Sequence, residues 1–243
     1  MISLSNIPGE ITEFCARCAE GLPSLTEDNA RIQCIRKEFP SLLRNTSLFA
    51  RILADITSGA KYPDLGYATM FDNELLLYAD PGRLFSLRLF LWDAGDYTPV
   101  HDHSSWGVIG PVSGTLEVIN YRRDDPGSQA GQARLIEAER LLLEPGETAF
   151  TLPLNDGIHT IGNPTDEAML SLSLYGSPLP RGYINGFDLA TGYIYQIVAP
   201  KIKKKVLATK ALIGLDKAAG EDAFKRVRAH HLDIMRSAAE NPK

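Results

Sequence analysis

Apolar positions recur with a helical period through residues 8–60. Ile11, Phe14, Cys15 and Cys18 make one stripe, and Ile32, Ile35 and Phe39 make another. This is the spacing that gathers side chains on one face of a helix. Pro23 and Pro40 punctuate the segments, Thr26-Glu-Asp28 offers cap-type residues at a helix start, and Leu42 to Ile56 reads as a further helix. From residue 74 to 198 the pattern becomes that of short strands, such as Leu84 to Trp92 and Gly114 to Tyr121. Turn clusters divide them: Asp80-Pro-Gly82, Asp93-Ala-Gly95, Asp124-Asp-Pro-Gly127, Glu144-Pro-Gly-Glu147, Asn163-Pro-Thr-Asp166 and Gly176-Ser-Pro178. Many short strands so divided predict a mainly β protein, an antiparallel sandwich or barrel.

Within it, Arg122 to Gln132 is polar and glycine-containing and predicts an exposed hairpin loop. Lys201-Ile-Lys-Lys-Lys205 reads as a solvated basic segment. Ala219 to Glu240 reads as a helix with Phe224, Val227, His231 and Ile234 on one stripe. His230 and His231 are adjacent there, about 100° apart around a helix, which makes them poor co-ligands and suits surface or interface positions. The organisation expected is a helical segment over 1–73 packed on a barrel over 74–198, then a helical extension over 199–243, all in one structural domain.

Composition narrows the function. The chain has 243 residues, 44% hydrophobic and 23% charged, with a net charge of -5. Those values suit a globular protein and give no electrostatic case for nucleic-acid or anionic-membrane binding. No apolar run approaches the ~20 residues of a membrane helix. The start, Met1 to Pro8, lacks a basic region and an apolar signal core, so the expected location is cytoplasmic. Cys15, Cys18 and Cys34 are the only cysteines. Cys15 and Cys18 form a C-x-x-C, but no second Cys/His pair follows at zinc spacing and no strand precedes it. On a helix they share one face, and they read as core or helix-face residues.

Histidine placement is the informative signal. Three of the five histidines fall at His101-Asp102-His103 and at His159, beside strand-like stretches. Residues two apart on a strand point to one face, so both imidazoles of the His-x-His can reach one ion. Asp102, between them, points the other way and reads as structural, bonding a neighbouring loop.

These stretches resemble the two metal-binding motifs of the cupins, which are double-stranded β-helix, or jelly-roll, barrels. The first motif runs from a Gly through His-x-His and a Glu to a second Gly. Here Gly95 precedes His101 by five intervening residues, Ser104-Ser-Trp106 follows His103, Gly107 stands in the place of the Glu, and Gly114 closes. The second motif is matched by Gly146, Pro153, Asp156 where Gly is usual, His159 and Asn163, with one extra residue before the proline. The resemblance implies a cupin barrel with metal ligands His101, His103 and His159. Without the Glu, three neutral imidazoles keep the ion's full charge and leave about three positions open on an octahedral ion, a set that suits Fe(II).

Among cupins, Thr98 to Gly110, Gly157 to Asn163 and Leu170 to Gly176 are similar to the cysteine dioxygenases and the bacterial 3-mercaptopropionate dioxygenases. That family oxidises a thiol to a sulfinic acid with O2 on Fe(II), and its members also carry helices before the barrel. The resemblance implies that Tyr175 is the tyrosine whose hydroxyl meets the bound substrate and that Ser171 belongs to a Ser-His-Tyr relay. Ser173 stands where the relay has His, and a serine is shorter and cannot carry charge. No Cys lies beside the metal loop, so the Cys–Tyr thioether of animal members cannot form.

The family binds the substrate carboxylate with Arg or Gln before the metal loop. Matching Leu76-Leu-Tyr-Ala-Asp80 to that region puts Glu74 at or next to that position, with Asn73 or Leu75 there if the register shifts by one. A carboxylate at that point repels a substrate carboxylate and can pair an ammonium. The alternative is that Glu74 faces solvent and Arg88 or Arg181 binds substrate. Trp106 reads as packing the barrel mouth, with stacking on substrate the alternative. Two further readings of the whole stay open: another three-His cupin oxygenase, such as a β-diketone-cleaving enzyme, and a non-enzymatic metal- or ligand-binding cupin. The implied partners are a small thiol and O2, with no nucleic acid and no membrane, and both a monomer and a homodimer are compatible with the sequence.

Overall fold

The computed structural model describes residues 7–219. Three helices come first: α1 (Gly9–Gly21), α2 (Asp28–Leu43) and α3 (Thr46–Ser58). Their buried positions are the predicted stripes, Ile11, Phe14, Cys15 and Cys18 on α1 and Ile32, Ile35 and Phe39 on α2. All three cysteines are free. Burial pushes the Cys18 thiol up to about 12 and the Cys15 thiol higher still, which makes both inert. Three expectations change. Helix α2 runs through Pro40 to Leu43, and Arg44 N donates to Pro40 O at 3.2 Å. A proline in a last turn gives up one bond there and does not stop the helix. The helix expected over Leu42 to Ile56 is instead split at Asn45, whose side chain accepts from Leu48 N at 3.2 Å and starts α3. At the start of α2 no side chain makes a cap bond, so Thr26-Glu-Asp28 does not act as a cap.

Ten strands follow: β1 (Glu74–Ala79), β2 (Phe85–Trp92), β3 (Gly107–Ser113), β4 (Leu116–Arg123), β5 (Leu135–Leu143), β6 (Ala149–Thr151), β7 (His159–Gly162), β8 (Met169–Gly176), β9 (Ile184–Phe187) and β10 (Ile194–Ile197). One antiparallel sheet has the order β1-β2-β8-β3-β6. On the other side lie β5-β4-β7 and the β9-β10 hairpin, and the stretch from Tyr97 to His101 bridges them, touching β7 at Gly162 and His159 and β9 at Gly186. Phe90, Trp92, Ile109 and Met169 of the first sheet share one buried cluster with Leu116, Val118, Leu143 and Ile161 of the second, so the two sheets face each other. The expected class holds: mainly β and antiparallel, with helices before the barrel and a helix after it.

The first sheet is buried on both faces. Leu87, Leu89, Val108, Leu172 and Leu174 point outward into a cluster with Phe14, Phe39, Phe49 and other residues of the three helices. The alternate residues therefore point into the barrel: Ser86, Arg88, Phe90 and Trp92 on β2, and Met169, Ser171, Ser173 and Tyr175 on β8. Helix α4 (Pro200–Ala219) follows the barrel and takes in the basic run, whose Lys201 Nζ donates to Gly66 O at 2.8 Å. The expected helix over Ala219 to Glu240, with its histidines, lies beyond residue 219 and outside the described residues. Among the described residues no helix is long and apolar enough to cross a membrane.

Candidate metal centre

The site starts from one backbone pairing. His101 N donates to His159 O and His159 N donates to His101 O, both at 2.9 Å. Directly opposed residues of antiparallel strands present their side chains on the same face, and His103 lies two residues farther along that face. The ring centroids are 4.8 Å (His101–His103), 5.0 Å (His101–His159) and 4.5 Å (His103–His159) apart. One ligand nitrogen from each lies within 4.8 Å of the others, and all three rings are buried.

Their protonation is equally specific. His101 Nδ1 lies 2.8 Å from Pro99 O, and His103 Nδ1 lies 2.9 Å from Gly157 O and 3.0 Å from Thr151 Oγ1. A carbonyl oxygen only accepts, so Nδ1 carries the hydrogen in both rings and Nε2 keeps its lone pair. His103 Nε2 and both nitrogens of His159 are buried with no hydrogen-bond partner among the described residues. Burial lowers the His101 imidazole to about 4, and burial together with the neighbouring rings holds His103 and His159 well below the ordinary range. Three neutral, converging imidazoles with unpartnered nitrogens fit a divalent metal ion, because the neutral ring is the form that ligates.

Two glycines fix this arrangement. A Cβ on Gly157 would stand 1.9 Å from Leu152 O, so only glycine fits where the carbonyl of residue 157 meets His103 Nδ1. A Cβ on Gly107 would stand 2.5 Å from Cδ1 of Tyr175. The tyrosine ring thus fills the space beside position 107 that a larger side chain would enter.

A cavity of about 130 Å³ opens at His101 and His103, with Tyr175, Arg88, Glu74 and Phe71 among its walls. The Tyr175 ring stacks near His103 (5.9 Å between centroids, 25° between planes), and Arg88 Cζ lies 5.8 Å from the same ring's centroid. Burial pushes the Tyr175 phenol up to about 12, so it is a protonated donor at neutral pH. Phe71 sets its edge on His101 at 5.4 Å.

Glu74 does not face solvent: its side chain is 1% exposed and pairs with Arg88. Its Oε2 also accepts from Met70 N at 2.9 Å and Phe71 N at 3.2 Å. Arg88 Nε donates to Ser86 Oγ at 3.1 Å, and Nη2 has no acceptor among the described residues. Glu74 and Arg88 were alternatives in the sequence and are partners in the fold.

Three other candidates lie elsewhere. Arg181 does not line the cavity; it grips Asp102 from behind the 101–103 stretch, at 2.7 Å from Oδ1. Trp106 packs in the helix-side cluster, away from the histidines. Ser171 points into the barrel, where its Oγ accepts from Trp92 Nε1 at 2.8 Å. Ser173 lies between Ser171 and Tyr175 along β8; its buried hydroxyl makes no hydrogen bond of full geometry among the described residues, but it is near enough to the Tyr175 phenol to offset part of the rise that burial causes. Thr151, Phe71 and the carbonyls of Pro99 and Gly157 are site groups that the sequence does not single out. The only signal for Thr151 is a polar residue at an inward strand position.

No family model matches the chain. Similar solved structures include cupins. A cupin superfamily protein from Desulfitobacterium hafniense DCB-2 shares 13% identity, over 42% of this chain and 74% of that one, with a TM-score of 0.30. A cupin 2 conserved barrel domain protein from Salinispora arenicola CNS-205 shares 16% over 48% and 86%, with a TM-score of 0.34. The DMSP lyase DddQ from Ruegeria pomeroyi DSS-3 shares 18% over 39% and 39%, with a TM-score of 0.28. Likeness at these identities concerns the fold alone.

Proposed function

We propose that the protein is a mononuclear non-haem Fe(II) dioxygenase that oxidises a small thiol to its sulfinic acid. The observation that carries the reading is the buried triad of neutral histidines, without a carboxylate ligand, opening on a cavity that also holds Tyr175 and Arg88. The reaction is RS⁻ + O2 → RSO2⁻: both oxygen atoms join sulfur, the four electrons come from sulfur, and no external reductant is needed. Fe(II) held by His101, His103 and His159 would supply the Lewis-acid and redox capacity for a thiolate to react with dioxygen.

The chain's own residues do the rest. His101, His103 and His159 are uncharged, so the ion's charge remains available to hold a thiolate. Tyr175, protonated and within the cavity wall, donates a hydrogen bond toward the reacting end of the substrate. Arg88 Nη2 meets an acceptor at the far end, while Glu74 holds the guanidinium in place and offsets its charge. Phe71, Phe90 and Met70 exclude water from the same space.

The test is O2 consumption by anaerobically Fe(II)-loaded protein offered cysteine, 3-mercaptopropionate, cysteamine or mercaptosuccinate. One O2 consumed per thiol, with sulfinate formed, is the expected result. Iron bound at one per chain with no uptake on any thiol rejects the reading.

A further inference from the structure

Asp102 lies between two of the candidate ligands and points away from the cavity, so it takes no part in holding ion or substrate. Its carboxylate is nevertheless fully engaged. It accepts from Arg181 Nη1 at 3.3 Å and Nη2 at 2.7 Å, from Asn185 N at 2.8 Å and from Asn185 Nδ2 at 2.7 Å. Arg181 Nη2 also donates to the carbonyl of His103 at 2.7 Å. Two backbone bonds run alongside: Asp102 N to Asn185 O at 3.0 Å and Leu179 N to Ser104 O at 2.7 Å. The strap from residue 177 to 185 is thus fastened to residues 102–104, and it contributes Pro178 and Ile184 to the cavity wall.

The side chains of this pair are 1% (Asp102) and 14% (Arg181) exposed. Burying charges costs desolvation that a well-packed apolar pair avoids, so stability alone gives weak reason for the pair. A forked guanidinium on a carboxylate supplies direction, because two parallel bonds fix an angle as well as a distance. Here the fixed element is the peptide between His101 and His103.

We infer that the Asp102–Arg181 pair is a positioning device for the metal centre. It sets the backbone angle between His101 and His103, and it seats the strap as a cavity wall through the same carboxylate. The inference rests on the triad holding a divalent ion and is independent of thiol oxidation.

Co(II) is a suitable reporter, titrated alone and followed by its visible ligand-field absorption. In the double variant Asp102→Asn with Arg181→Gln, neutral amides replace both charges and no stranded ion is left. The expected result is Co(II) affinity lower by about 10- to 100-fold with a displaced absorption band, in protein that still melts cooperatively. Arg181→Lys, which keeps the charge without the fork, should recover only part of the loss. A folded double variant with wild-type affinity and band overturns the inference. Wild-type protein that binds no Co(II) overturns it too, together with the metal site, whereas Co(II) binding without thiol turnover rejects only the proposed reaction. If the double variant does not fold, hydrogen exchange on the unaltered protein decides. Co(II) should slow exchange at Leu179, Asn185 and Phe187 more than in the 124–134 loop, and equal change in both overturns the inference.

Discussion

His159 buries two ring nitrogens that no group among the described residues satisfies, and an unmade hydrogen bond of this kind costs about 1–3 kcal/mol. The metal-free protein carries that cost. Replacing His159 with Leu should therefore abolish metal retention and yet stabilise the metal-free protein by about 1 kcal/mol. Thermal melting and metal analysis check this together, and metal retained by the variant would remove His159 from the site. The same burial gives acid sensitivity of defined sign. Imidazoles whose folded values lie below the ordinary 6.5 take up protons on unfolding, so stability rises with pH between the two values. Stability of the metal-free protein should be full above about pH 6.5 and fall toward pH 4, where His101 titrates, at ~1.4 kcal/mol per pH unit for each histidine. Urea unfolding on either side of the window measures it, and a flat profile would contradict the buried, neutral triad. Tyr175→Phe should slow turnover by roughly tenfold or more while iron content stays unchanged; lost iron would make Tyr175 a support for the ligands instead. The triad is legible in the sequence because a His-x-His in extended chain is a one-dimensional statement, although residues 101–103 lie in no strand and meet β7 and β9 through isolated bridges at His101. The Glu74–Arg88 pair is not legible. It depends on β1 meeting β2 with Glu74 opposite Phe90 and on a bulge between Leu76 and Tyr78 that no residue pattern announces.

Strand β8 shows where periodicity informs and where it misleads. Leu170-Ser-Leu-Ser-Leu-Tyr175 alternates, as a strand with unlike faces should. The usual inference puts leucines in the barrel and serines outside, whereas here the leucines face the helices and the polar row faces inward. A sheet covered on both sides has no solvent face to orient the pattern. The 3-10 turn from Leu154 to Gly157, just before β7, makes an element-level prediction. Gly157→Ala forces a methyl against Leu152 O and displaces the carbonyl bonded to His103 Nδ1. We expect a destabilisation of about 3 kcal/mol together with weakened metal binding, read by denaturation and metal titration. A variant that lost stability alone would detach this turn from ligand orientation. Helix boundaries are less legible than helix stripes: Pro40 falls in a last turn that it does not break, and the break at Asn45 rests on one local cap bond to Leu48 N rather than on a change in the apolar pattern.

Across the whole molecule, the helices and the first sheet form one continuous apolar cluster, and the candidate centre lies on the far side of that sheet. The switch of period near residue 74 made the division of labour readable. The packing of helices over the β8 leucines was not, because amphipathic stripes do not name their partners. The backbone pairing of His101 with His159, and of Asp102 with Asn185, has a consequence in time. These contacts join distant stretches of chain, and such contacts form late because loop closure must come first. As the chain is synthesised, the last coordinating residue and the strap that fastens residues 102–104 emerge well after the first two ligands. An ion therefore has no complete seat in the early ensemble and should extend the lifetime of the fold without hastening its birth. Stopped-flow mixing with Co(II) should show slower unfolding and an unchanged refolding rate; faster refolding would mean that the three histidines already meet at the barrier.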